Sequence, residues 1–363
     1  MNIPARHTQS AYMQFAKLRT HARYNLASSG VADCTLADLD LAPEDLALHG
    51  ENAYGYAPLT QTIATRFGVP EPCVVTAGGG CSFTNHLALA TLINPGDEVL
   101  VEQPTYELLI STLQYLQACI IRFERRPRDD WQLDPAAIAA ATTQATRLIV
   151  LTNLHNPSSA PADDATISAI AAHAAKTGAH VLVDEVYREL LFTDGQAHTS
   201  FREHGNIVTT SSLTKAYGLS GLRCGWALAP APVAARMRAL NDLHGVLPPH
   251  ITERMSVVAF DRLPALRARA TAMIDANRAA YRHILGRHPR LRQTIFDAGT
   301  TVFPELTHGT GDALFEILTH DYETSLVPGS FFERPTHVRI GLAANPETTR
   351  IGFERLAQAL MEL

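Results

Sequence analysis

Lysine is nearly absent from this sequence: Lys17, Lys176 and Lys215 stand against 27 arginines among the 30 basic residues. Arginine carries surface charge as well as lysine does, so solubility does not explain why these three persist. Cysteine is sparse too. Its five positions, 34, 73, 81, 119 and 224, are odd in number and lack CxxC spacing, which argues against a disulfide framework or a zinc site. The 16 histidines form no HExxH-like pattern, so no metal is expected. No run approaches the roughly 20 apolar residues that cross a bilayer. The opening "MNIPARHTQSAYMQFAK" has no apolar signal core. A net charge of -6 argues against a nucleic-acid or acidic-membrane partner. Repeats, low-complexity segments and long linkers are missing as well. The expectation is a cytoplasmic protein with reduced thiols, whose 363 residues are enough for two domains.

What is present is alternation. Short apolar, β-rich runs recur as "CVVT" (73–76), "EVLVE" (98–102), "CIIRF" (119–123), "RLIVLT" (147–152), "HVLVD" (180–184), "NIVTTSS" (206–212) and "GWALA" (225–229). Segments of helical spacing, such as "FTNHLALATLI" and "DATISAIAAHAAKTG", lie between most of them. Near-continuous apolar strands separated by helices predict an α/β sheet, mainly parallel and buried on both faces. After Pro249 the character changes to a long Arg/Ala-rich helical region ending near Gly286. The β-like pieces "TTVFPEL" and "HVRIGLA" and a helix from about 347 follow. Residues 41–275 are therefore expected to form a large α/β domain, and 1–40 with 276–363 a smaller α+β one.

In an open α/β sheet, ligands bind beyond the carboxyl ends of the strands. Those ends carry "AGGGCSFTNH", "QPTY", "NLHNPSSA", Asp184 with "EVY", and Ser212 leading to Lys215. A lysine amine can lose its proton and form a Schiff base, which arginine, with a pKa above about 12, cannot do. The glycines at 78–80 open into a helix whose N-terminal amides suit a phosphate or simply make a turn. Ser212 and Arg223 could complete an anion cup. Asp184 closes an apolar strand, where it either pairs with a protonated ring nitrogen or caps the next helix. Tyr106 offers a flat face or is plain packing. One ligand unites these parts: an aromatic aldehyde with a protonatable ring nitrogen and a phosphate, that is, pyridoxal 5′-phosphate.

With these motifs in order, the sequence resembles the class I/II aminotransferases of the aspartate-aminotransferase fold (fold type I), from about Tyr54 to Arg339. "SSLTKAYGLSGLRCGW" is similar to the S-x-S-K…G-x-R-x-G signature, which implies that Lys215 carries the cofactor and that Ser212 and Arg223 bind its phosphate. "VDEVY" resembles the D-x-x-Y segment, with Asp184 on the pyridine nitrogen and Tyr187 on the phenolic oxygen. "NLHNPSSA" is similar to N-P-x-N-P-T-G and makes Asn156 the second donor to that oxygen. By the same resemblance Cys81 and Ser82 supply phosphate-binding amides, Tyr106 covers the ring face, and Arg339 in "VPGSFFERPTHVRIGL" grips the substrate carboxylate. The fold it implies has a large domain with a mainly parallel seven-stranded sheet and a smaller α+β domain. Three departures stand out. Ser158-Ser159 replaces Thr-Gly, expected to alter the loop alone, and Thr214 stands before the lysine where serine is common. The family tyrosine that reaches a neighbouring subunit's phosphate falls on Tyr54, directly before Gly55, with Tyr56 as its rival.

The resemblance implies a homodimeric aminotransferase that moves the amino group of an α-amino acid to a 2-oxo acid. The alternative is other chemistry on the same scaffold: a β-lyase, an amino-acid cyclase or an oxidase, since fold does not fix function. A ligand-sensing regulator would need a DNA-binding segment, and no basic one stands ahead of residue 40.

Overall fold

The seven apolar runs become the seven strands of one sheet: β1 (Val74–Ala77), β2 (Glu98–Gln103), β3 (Cys119–Glu124), β4 (Thr146–Thr152), β5 (His180–Asp184), β6 (Ile207–Ser212) and β7 (Gly225–Leu228). The structure is a computed structural model that describes residues 6–191 and 196–363. Strand order is β1-β7-β6-β5-β4-β2-β3. All pairs from β6 to β3 are parallel, while β7 runs antiparallel to both β6 and β1. Because β1 opposes β7, it points the same way as the parallel strands. The carboxyl ends of six strands and the amino end of β7 therefore share one edge.

Both sheet faces are buried across six strands, as the unbroken apolar runs predict, while the edge strand β3 is largely exposed. Leu100, Ile149, Leu151, Val181 and Val183 pack against Ile167 and Ile170 of the helix Asp164–Ala175. Val99, Val101, Leu148, Val150 and Leu182 face the other way. There they meet Leu87 and Leu113, which belong to two further helices. Each such side chain contributes about 1.5–3 kcal/mol when fully buried, so the sheet is a rigid base for its edge.

The N-terminal helix α1 (Ala11–Leu18) is capped by Ser10, whose Oγ accepts from Met13 N at 3.1 Å. Helices α2 (Gly80–Leu92) and α3 (Glu107–Tyr115) follow β1 and β2. The short α4 (Thr214–Tyr217) follows β6. The 35-residue α5 (His250–Ile284) links the sheet to a second apolar cluster. Near its end Asn277 Nδ2 donates to Leu342 O (3.0 Å) and Ala344 O (2.8 Å), and Tyr281 is wholly buried in that cluster. The last helix, α6 (Pro346–Glu362), adds Phe353, Leu356 and Leu360. Tyr24–Asn25 pairs in parallel with Thr324–Ser325, so the N-terminal segment joins the C-terminal part. Thr301–Val302 and Val327–Pro328 flank Val338–Gly341 as antiparallel neighbours.

Candidate active site

Sheet register decides what meets at the edge. Thr152, Asp184 and Thr210 are aligned neighbours at the ends of β4, β5 and β6. Ser212, Gly225 and Ala77 align likewise one step further on. The cavity above them is lined by nine of the residues singled out in the sequence: Cys81, Ser82, Tyr106, Asn156, Asp184, Tyr187, Ser212, Lys215 and Arg223. Two expected residues lie elsewhere. Arg339 stands behind the wall, and Tyr54 projects outward, 64% exposed.

One end of the cavity is built for an anion. Helix α2 begins at Gly80 with no side chain capping its first amides, so the N–H groups of Cys81 and Ser82 in its first turn keep their donors free. Gly80 has a φ of +70°, and a Cβ there would lie 2.9 Å from the Arg223 guanidinium. Gly225 is as tightly bound: its Cβ would fall 2.3 Å from the carbonyl carbon of Gly80. β7 thus presses directly on the turn. Arg223 Nη2 donates to Gly79 O at 2.7 Å, while Gly80 N donates to Arg223 O at 2.8 Å. Ser212 and Thr214 complete this end.

The other end holds a carboxylate. Asp184 is 5% exposed. Its Oδ2 accepts from Asn85 Nδ2 at 2.8 Å, and its Oδ1 from Val186 N at 3.1 Å and Cys81 Sγ at 3.5 Å. Burial raises its pKa, against the lowering by these donors and by the Lys215 charge. No guanidinium or ammonium bonds to it among the described residues, so a cation in the cavity would complete it. The helix-cap alternative is not realised: the next helical turn, Arg188–Leu190, starts from Tyr187.

Lys215 lies between the two ends. Burial, then the charges of Arg339 and Arg223, lower its pKa to about 8, with Asp184 and Asp33 opposing. The neutral, nucleophilic amine is thus half-populated near pH 8, two units or so below an ordinary lysine. In the cofactor-free protein, capture of an aromatic aldehyde at Lys215 should accelerate about tenfold per pH unit below 8 and level off above it. Borohydride trapping followed by peptide mapping reads this rate. A profile still climbing at pH 10 would mean that the cavity does not depress the amine.

Around the lysine, Tyr187 Oη donates to Ser29 Oγ at 2.8 Å, and burial pushes its phenol pKa up. Asn156 Oδ1 accepts from Arg339 Nη1 at 3.1 Å. Arginine can only donate, so this contact fixes the amide orientation and leaves the Nδ2 hydrogens for the cavity. Arg339 is 1% exposed and also donates from Nη2 to Tyr12 Oη (2.8 Å) and Ala27 O (3.1 Å). Its Nε has no partner among the described residues. A ligand carboxylate reaching Arg339 would take the place of Tyr12 or Asn156. Tyr106 stands edge-on to Tyr12, ring centres 5.6 Å apart.

Several site residues escaped the sequence reading. Glu102 and Arg125 form an ion pair of 2.9 Å with both side chains wholly buried. Glu102 Oε1 accepts from Thr152 N (2.7 Å) and Thr152 Oγ1 (2.5 Å), and Thr152 Oγ1 accepts from Asn156 N at 3.1 Å. The signal existed: a glutamate inside an apolar strand needs a partner, and "FERR" ends the adjacent one. Asn85, one turn after Cys81, had the i,i+4 spacing. Tyr12 and Ser29 arrive from the N-terminal segment with no local signal. Ser159 also does more than reshape its loop. It sits at a φ of +66°, and its Oγ donates to Thr301 O at 2.9 Å, tying the loop to the smaller cluster.

Pyridoxal 5′-phosphate fits these residues: an anion cup at one end, a carboxylate lacking a cation at the other, and a reactive amine between them. Comparisons with known proteins agree. The family model "Aminotransferase class I and II" matches residues 40–358. Arginine–pyruvate transaminase from Pseudomonas aeruginosa is 29% identical over 97% of this chain and 94% of its own. Capreomycidine synthase from Streptomyces vinaceus is 27% identical over 93% of this chain and 90% of its own. The crystal structure of a PLP-dependent aminotransferase from Streptococcus suis superposes with a TM-score of 0.89 at 24% identity, covering 100% of this chain and 99% of that one.

Proposed function

This chain belongs to the class I and II aminotransferases and is a pyridoxal-phosphate-dependent transaminase of amino acids, and from that premise we propose how its residues divide the work. The observation that carries the assignment is the placement of Lys215 between the α2 cup and Asp184 on one sheet edge. Cys81, Ser82, Ser212 and Arg223 hold the phosphate. Asp184 holds the ring nitrogen, Asn156 and Tyr187 the ring oxygen, and Tyr106 the ring face. When bound, the cofactor supplies a protonated ring that absorbs the electrons of a broken Cα bond. Lys215 Nζ, neutral above about pH 8, takes the proton from the substrate Cα. Arg339 binds the α-carboxylate with two parallel hydrogen bonds and so selects which Cα bond stands across the ring. We assign residues 41–275 to the large unit and 1–40 with 276–363 to the small one.

Arg339→Leu should lower kcat/KM for amino acids about 100-fold, mostly through KM. Amines that lack a carboxylate should lose far less, only what release of the Asn156 amide costs. Equal loss for both would assign Arg339 to scaffolding. The proposal as a whole is tested by a panel of amino donors with pyruvate as acceptor, scored by oxo-acid formation. Arginine belongs in it, because the Pseudomonas relative is named for arginine and pyruvate. The likeness to capreomycidine synthase favours a second reading, a cyclase on the same scaffold, which would consume its amino acid without needing pyruvate.

The finer setting is also our reading. Five free cysteines support a reducing, cytoplasmic location, and among the described residues no helix is long and apolar enough to cross a membrane. The partners are an amino acid, a 2-oxo acid and a second copy of the chain. Tyr54 reaches the cofactor phosphate of that copy in an isologous dimer. What supports Tyr54 over Tyr56 is exposure. Tyr56 packs edge-on to His250 at 5.0 Å and lies 3.5 Å from Arg254 Nη1, whereas the Tyr54 hydroxyl bonds to nothing among the described residues.

A further inference from the structure

Outside the cavity one buried carboxylate stands out. Glu253, in the first turn of α5, is 4% exposed and has no ion-pair partner among the described residues. Its Oε2 accepts from Tyr56 N at 2.9 Å and Asn52 Nδ2 at 3.5 Å, and its Oε1 from Thr76 Oγ1 at 3.0 Å. Asn52 Nδ2 also donates to Pro248 O at 2.6 Å. A buried carboxylate is costly, and three donors from two separate segments are what offset it here. Two of the donors belong to residues 52–56, the stretch that displays Tyr54. Gly55 fits the same clamp: at a φ of +102°, a Cβ there would sit 2.3 Å from Thr76 Oγ1. Thr76, by contrast, is already held by the pairing of β1 with β7. Loss of the carboxylate therefore loosens the 52–56 segment, which keeps the Asn52–Pro248 bond and the Tyr56 side-chain contacts, and leaves the sheet in place.

We propose that Glu253 is a positioning residue that acts in trans: it fixes residues 52–56 so that Tyr54 reaches the cofactor phosphate of a second copy. The inference rests on the dimeric reading given above and goes beyond it by naming what aims the tyrosine. Glu253 touches neither substrate nor cofactor. Its effect passes through Tyr56 N and Asn52 to the residue between them.

Equilibrium affinity for pyridoxal 5′-phosphate is the readout, measured by absorbance after dialysis. Glu253→Ala and Tyr54→Phe should each weaken it about tenfold, the size of one hydrogen bond to a charged group. The double variant should also be about tenfold weaker, whereas independent sites would multiply to about a hundredfold. Glu253→Gln keeps a carbonyl for Tyr56 N and should recover most of the loss. Gly55→Ala displaces the segment by crowding Thr76 Oγ1 at 2.3 Å while leaving the Glu253 carboxylate in the chain, and should reproduce the loss, which keeps the test alive if Glu253→Ala fails to fold. Heterodimers carrying different tags then assign the direction. Pairing Glu253→Ala with Lys215→Ala leaves one site with an intact lysine and an intact tyrosine segment, and that site should bind cofactor normally. A hundredfold loss in the double variant would overturn the proposal. So would a weak Glu253→Ala heterodimer beside a restored Tyr54→Phe heterodimer, which would place the effect in the chain's own cup. If neither heterodimer is restored, the dimeric reading itself fails and the inference with it.

Discussion

Replacing Lys215 with alanine should lower turnover by at least about 10⁴-fold, because the general base and the covalent anchor go together. Lys215→Arg should be as inactive. It keeps a cation beside Asp184, but its pKa stays above about 12, so the side chain can neither attack an aldehyde nor take a proton from Cα. The pair separates chemistry from charge. Folding should survive both changes, since Lys215 faces the cavity and not one of the apolar clusters. Borohydride reduction of the unchanged holoenzyme should place the pyridoxyl label on Lys215. Lys17 and Lys176 lie at the ends of α1 and of the helix Asp164–Ala175, outside the cavity. Label on either of them would remove the basis of the whole assignment.

Asp184→Asn should lower turnover by about 10³-fold, within the range for a group that controls a proton in the reacting centre. Cofactor retention should change little, because the α2 cup and Lys215 remain. An amide keeps the shape and can still accept from Val186 N at 3.1 Å or Asn85 Nδ2 at 2.8 Å, but it carries no charge to hold a protonated ring nitrogen. The two effects are read separately, turnover by oxo-acid formation and retention by absorbance after dialysis. Near-normal turnover in this variant would reduce Asp184 to an anchor for the β5 end. Asp184→Glu keeps the charge but lengthens the arm in a buried site, and its turnover should fall between the two.

The strands of the sheet were legible because all but the edge strand β3 are buried on both faces and so read as apolar runs with polar ends. The direction of β7 was not. "GWALA" carries no mark of polarity, and only its pairing shows that it runs against β6 and β1, which is how Arg223 arrives at the same edge as Asp184. The site residues at strand ends were legible through type and order: a lysine in a lysine-poor chain, an aspartate closing an apolar strand, and glycines opening a helix. What supports them was harder to see. Tyr12 and Ser29 meet Arg339 and Tyr187 only after the N-terminal segment folds back, a long-range contact that no local pattern encodes. Glu102 and Arg125 were readable in principle as a charge inside one strand and a charge just past the end of its neighbour. What favours Tyr54 over Tyr56 in our proposal is the contact of Tyr56 with His250 and Arg254, nearly 200 residues away in sequence.

Transfer of an amino group, as distinct from any other reaction on this scaffold, is the central claim. It is tested most directly by mixing the holoenzyme with a competent amino acid and no oxo acid, then following the cofactor by absorbance. A transaminase should stop after a single half-reaction: the absorbance of the lysine-bound form disappears, the amine form of the cofactor accumulates, and one oxo acid appears per site. Adding a competent 2-oxo acid should then restore the starting spectrum. Continued consumption of amino acid without any amine form, with release of ammonia, a cyclised product or uptake of oxygen, would contradict the account and assign the chain to the other chemistry of its fold.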